Sequence, residues 1–102
     1  MTTKNIVIYS QNNCPFCDIM KEMLDTIGYN YDIINVKENF EALEFMVSRG
    51  HKKVPQLYAN NIHINKKANT KEYTPLELKQ LIDEAVKKDW MWIDSGIEQG
   101  HH

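Results

Sequence analysis

The chain has 102 residues with 42% hydrophobic and 25% charged side chains and a formal net charge of −2. That length suits one domain able to bury its own core, and the composition is that of an ordinary folded protein. The weak acidic balance offers no general attraction to nucleic acid or a membrane surface, and no apolar run approaches the roughly 20 residues needed to cross a bilayer. The opening MTTKNIVIYS carries one lysine and a short β-type run, not a secretory signal. A cytoplasmic home is therefore expected, where thiols stay reduced. The closing Gly-His-His resembles the start of a purification tag, so His101 and His102 are set aside.

Asn5 to Ser10 (NIVIYS) is rich in β-branched residues and predicts a buried strand. A turn, QNNCP, leads into a helix whose apolar face is Ile19, Met20, Met23, Leu24 and Ile27, stopped by Gly28. Tyr31 to Val36 predicts the second strand. Asn39 is placed to cap a second helix, with Phe40, Leu43, Met46 and Val47 as its apolar face and Gly50 as its end. Val54 to Ala59 predicts a strand with its proline near the start, where a missing N–H is tolerated. Asn60-Asn61 then turns into a short return strand, Ile62 to Ile64. NKKANTKEY is expected to be a loop. Thr74, Pro75 and Glu77 mark a helix start by cap, N1 proline and capping box, and Leu78, Leu81, Ile82 and Ala85 form that helix's face.

The order β-α-β-α-β-β-α implies an α/β fold: a mixed four-stranded sheet with helices on both faces and a right-handed parallel first unit. Residues 1–89 are expected to form the domain and 90–102 a tail. Trp90 to Ile93 in that tail reads either as cover for one end of the core or as an exposed docking patch.

Both cysteines lie in NNCPFCDIMK, residues 12 to 21. In a reducing compartment a Cys-x-x-Cys pair points to catalysis or metal binding before a permanent staple. Cys14 follows the first strand and opens the first helix, so its sulfur faces the unpaired N–H groups and the positive end of the helix dipole. Both favour thiolate and should bring its pKa from about 8.5 into a range of roughly 3.5–7.5. Cys17, one turn on, is within disulfide reach and should be less exposed. Pro15 occupies N1, and Phe16 is expected to point outward beside the sulfur. The pair can therefore run a two-step exchange, Cys14 attacking a substrate disulfide and Cys17 resolving the mixed disulfide. A zinc site needs four ligands, and the spacing of His51 and His63 matches no common finger pattern. Those two histidines read as surface or strand residues rather than catalytic ones.

Strand–CPFC–helix, followed about 40 residues later by KVPQLY, resembles a glutaredoxin of the thioredoxin fold, chiefly over Ile6 to Ile64 and loosely to Lys87. The resemblance implies a thiol–disulfide oxidoreductase, with no tightly bound cofactor and glutathione as co-substrate. It also implies a cis Val54–Pro55 bond, with the Val54 backbone pairing an extended substrate beside the nucleophile. Disulfide-bearing proteins are the implied partners, ribonucleotide reductase among them, for a monomer that binds neither nucleic acid nor membranes. Two features depart from the family pattern. Gln11 stands where a lysine commonly precedes the first cysteine by three residues. Lys66 and Lys67 stand where a Gly-Gly turn and an acidic pair usually hold the γ-glutamyl end of glutathione. Thr74 with its neighbouring N–H groups, and Arg49, Lys52 and Lys53, are the candidates for glutathione carboxylates, their other reading being solvated surface. The altered loop keeps open a thioredoxin-like donor recharged by a flavoprotein reductase. An iron–sulfur cluster-binding glutaredoxin is the remaining alternative, against which Pro15 argues.

Overall fold

A computed structural model describes residues 5–67 and 69–98, with side chains described as far as residue 87. Four strands, β1 (Ile6–Ser10), β2 (Asp32–Asn35), β3 (Gln56–Ala59) and β4 (Ile62–His63), form one sheet in the order β2-β1-β3-β4. β1 and β2 run parallel, with Ile8 opposite Ile33. β1–β3 and β3–β4 are antiparallel. Helices α1 (Pro15–Ile27), α2 (Phe40–Ser48) and α3 (Pro75–Glu98) cover the sheet, with a short 3-10 helix at Thr70–Glu72 inside the segment expected to be a loop. The mixed α/β sheet expected from the sequence is thus the one formed. The Trp90–Ile93 side chains lie outside those described.

Alternation along β1 divides the core. Ile6 and Ile8 face one side, where Met20, Met23 and Leu24 of α1, Leu57 and Ala59 of β3, and Leu78, Ile82 and Ala85 of α3 join them in the main core. Tyr9 faces the other side, against a smaller cluster of Val36, Ala42 and Met46 flanked by Ile34, Phe45 and Val54. Fully burying each large aliphatic chain contributes about 1.5–3 kcal/mol, so the α1–α3 side carries most of the stability.

Local signals place the element ends. Gly28 ends α1 at φ 89°, a left-handed value that glycine adopts without cost. Asn39 caps α2, its side chain accepting from Ala42 N at 2.9 Å. Asn60 and Asn61, at φ 50° and 66°, make the two-residue hairpin turn that pairs Ala59 with Ile62. Thr74 caps α3 by accepting from Glu77 N at 3.1 Å, while the Glu77 carboxylate pairs with Lys67 at 3.0 Å.

The apolar face expected for α2 is corrected. Met46 is buried, but Phe40 and Val47 are 72% and 65% exposed and Leu43 is also exposed. The inward face is Ala42, Phe45 and Met46. The helix is therefore turned by roughly 100°, one residue's rotation, from the expected stripe. The Phe45 ring decides the choice. It lies 5.4 Å from Tyr9 and 5.3 Å from Tyr58, with the Arg49 guanidinium 4.9 Å above it.

Candidate active site

The loop from β1 into α1 is shaped by asparagines. Asn13 takes a left-handed φ of 55°, which asparagine tolerates better than most residues, and Asn12 accepts from the Asn35 side chain at 3.0 Å, tying the loop to the end of β2. Cys14 then serves as the N-cap of α1, with extended backbone angles (φ −116°, ψ 98°). Its Sγ accepts a hydrogen bond from Cys17 N at 3.1 Å. The sulfur thus occupies the place usually taken by a Ser or Asp oxygen and partners an amide that has no intrahelical acceptor.

Cys14 is 9% exposed and Cys17 0%, so Cys17 is the less exposed of the two, as expected. They are joined as a disulfide with Cα atoms 5.2 Å apart. Pro15 stands at the first helical position and Phe16 is exposed, its ring 5.8 Å from Lys71 Nζ. Lys71 thereby brings a cation to the dithiol end of α1, on the element that packs beside it.

The Val54–Pro55 bond is cis, as the family resemblance implies. A cleft of about 530 Å³ is lined by Gln11, Lys53 and Val54 together with Val36, Met46 and Val47. Through Gln11 it reaches the loop that carries Cys14. A smaller cleft of about 270 Å³ shares Lys53 and Val54 and takes in Pro55, His63 and Lys66. Thr74 is exposed at its cap and lines neither cleft.

Two features of this region are not apparent from the linear pattern. Asn65, 6% exposed, accepts from Leu57 N at 2.8 Å and donates to Pro55 O at 3.0 Å. It therefore holds the start of β3 and the proline loop with one amide. The only sequence signal was an asparagine at the end of a strand, which reads equally well as a turn. The second feature is a ring cluster. His51 Nε2 meets Tyr58 OH at 2.7 Å, and the His51 and His63 rings lie 4.6 Å apart. Gln56 donates to Lys53 O at 3.0 Å, so its oxygen faces His63 Nε2 at 2.7 Å and the proton sits on that nitrogen. Burial first, then His51 and Lys66, push the His63 pKa down to about 4, and burial with Arg49 and Lys66 lowers that of His51. The His63 ring is therefore neutral at pH 7, and the shift at His51 is in the same direction. Among the described residues, no group of three or more His, Cys, Asp or Glu side chains is arranged to hold a metal ion, and no helix is long and apolar enough to cross a membrane.

Comparison with known proteins bears on the same segment. The Glutaredoxin family model matches residues 6–64. Over 63 residues the chain is 40% identical to glutaredoxin 1 of Rickettsia felis, covering 58% of this chain and 61% of that protein. Over 61 residues it is 31% identical to glutaredoxin 3 of Escherichia coli, covering 59% and 74%. Its fold is similar to that of the glutaredoxin-like protein NrdH-redoxin from Escherichia coli, with a TM-score of 0.62 and 25% identity over 76% of this chain and 93% of that one. Together with a dithiol at a helix start, beside a loop with a cis proline, these likenesses mean that the chain belongs to the glutaredoxin family of thiol–disulfide oxidoreductases.

Proposed function

We propose that Cys14 is the attacking thiol and Cys17 the resolving one in the reduction of protein disulfides and glutathione mixed disulfides. The observation that carries this reading is the cap geometry, with Cys17 N–H aimed at Cys14 Sγ at 3.1 Å. In the reduced protein that amide and the helix dipole stabilise a thiolate at Cys14. The thiolate attacks one sulfur of the substrate disulfide, forms the mixed disulfide and releases the other sulfur as a thiolate, which takes a proton from solvent. Cys17, deprotonated, then attacks Cys14 Sγ. The Cys14–Cys17 bond forms, the mixed disulfide breaks and the second substrate thiol leaves. Two glutathione molecules, or a flavoprotein reductase, return the two electrons.

Gln11, Lys53 and Val54 in the larger cleft, with Pro15, Phe16 and Pro55, form the proposed substrate surface, the Val54 backbone pairing the substrate as an added strand. Thr74 is retained only as a carboxylate-binding candidate. The setting is a reducing, cytoplasm-like compartment, and ribonucleotide reductase is a candidate partner.

Cys14→Ser should abolish all exchange, and Cys17→Ser should trap mixed disulfides while sparing reactions that need one thiol. Alkylation of Cys14 in the reduced protein should titrate between about 3.5 and 7.5. A midpoint near that of free cysteine, or activity surviving Cys14→Ser, overturns the assignment. Lys66 and Lys67, in place of an acidic pair, favour a second reading in which a flavoprotein reductase recharges the dithiol. Turnover with glutathione and its reductase, set against turnover with thioredoxin reductase, separates the two.

A further inference from the structure

The smaller cleft has a charge that the chain as a whole does not. Lys52, Lys53 and Lys66 line it, and no Asp or Glu does, in a protein of net charge −2. Among the described residues these three lysines have no ion-pair partner, whereas Lys67 at the same cleft is held by Glu77 at 3.0 Å. The lysines come from two separate segments, the loop after α2 and the segment after β4. Asn65 ties the second of these to Pro55, and Gln56 ties Lys53 to His63. The charges are thus mounted on a hydrogen-bonded frame. His63 lines the same cleft. It is faced by His51, Tyr58, Gln56, Asn65, Lys66 and Arg49, and none of these is an acid.

Like charges gathered in a concave site raise the local concentration of an oppositely charged ligand and repel an amine. The cleft also shares Val54 and Pro55 with the edge on which a substrate strand is proposed to pair. A chain lying on that edge would border the cleft that the lysines line. We propose that this cleft receives an acidic segment flanking the disulfide of the protein substrate, with Lys52, Lys53 and Lys66 meeting its carboxylates. This rests on the exchange reading above and names the class of substrate it selects.

The test uses the prereduced full chain and three peptides, each with one intramolecular disulfide flanked by Glu-Glu, Gln-Gln or Lys-Lys. Single-turnover reduction is followed by mass spectrometry. The Glu peptide should react about 3- to 30-fold faster than the Gln peptide, and the Lys peptide slower than both, from two to three exposed pairs of ordinary strength. Raising salt to about 0.5 M should bring the ratio towards one. In the Lys52→Gln/Lys66→Gln variant the Glu-to-Gln ratio should fall below about two. A cysteine-free Glu peptide should also raise the titration midpoint of His63 followed by proton NMR, and should not do so in that variant. Equal rates for the three peptides overturn the cleft assignment and leave the exchange reading standing. Reduction of none of them overturns the exchange reading and the inference with it. Tight binding of polyphosphate with no preference among the peptides assigns the cleft to a polyanion and overturns the inference alone.

Discussion

Asn65→Ala removes two hydrogen bonds at once. The amide accepts from Leu57 N at 2.8 Å and donates to Pro55 O at 3.0 Å, at a residue 6% exposed beside a leucine that is 0% exposed. Alanine leaves one buried N–H and one buried C=O without partners, each costing about 1–3 kcal/mol. The sum is about 2–6 kcal/mol, with the lower end applying if water fills the vacated space. Against a total stability of about 5–15 kcal/mol that is a large loss. Each kcal/mol moves the melting temperature of a domain this size by about 4–8 °C, so Asn65→Ala should melt at least about 8 °C lower by circular dichroism. Lys66→Ala, next along the chain and exposed, should stay within about 0.5 kcal/mol of the parent. Disulfide exchange by Asn65→Ala should also slow well below its melting range, because the Val54–Pro55 loop loses its anchor. A melting point within about 3 °C of the parent would refute the claim that this amide holds the loop.

Three further outcomes follow from the packing and the charges. The His63 pKa is lowered to about 4 from an ordinary 6.5, chiefly by burial, so the unfolded chain takes up its proton first as pH falls. Stability should therefore be full above about pH 6.5 and decline towards pH 4, by on the order of 1–2 kcal/mol once solvent screening at a partly exposed ring is allowed for. Denaturant midpoints of His63→Gln should lack that portion of the decline, and an unchanged decline would count against it. Met46→Ala should cost about 2–5 kcal/mol in urea titration, while Phe40→Ala, at a side chain 72% exposed, should cost less than about 0.5 kcal/mol. A Phe40→Ala loss as large as that of Met46→Ala would restore the face expected from the sequence. Asn61→Ala, at φ 66°, should lower stability by about 1 kcal/mol while Asn61→Gly does not, and equal effects would exclude backbone strain at that turn.

Features decided within four residues were legible before the fold was known. Asn39, Thr74 and Gly28 mark helix ends because the groups they satisfy lie one turn away, and the Asn60-Asn61 turn selects its own hairpin. The parallel β1–β2 pair and the β3–β4 hairpin followed from the order of elements. The face of α2 was not legible, because two apolar stripes compete on that helix and periodicity gives no reason to prefer one. What separates them is a set of rings from three distant segments, Tyr9, Phe45 and Tyr58, which no spacing along the chain brings together. Asn65 was not legible for the same reason: its partners are 8 and 10 residues away, Leu57 on β3 and Pro55 in the loop before it.

The same distinction separates chemistry from selectivity in this protein. An attacking sulfur needs a helix start and an amide three residues on, and CPFC encodes both within one turn, so the reacting pair is legible locally once the strand before it and KVPQLY after it are read with it. A substrate preference requires charges from both sides of a cleft. Lys52 and Lys53 precede β3 and Lys66 follows β4, so their convergence depends on the hairpin between them and on the Asn65 and Gln56 amides that fasten its ends. Substituting either amide should therefore weaken discrimination among substrates even where Cys14 and its amide partner are untouched.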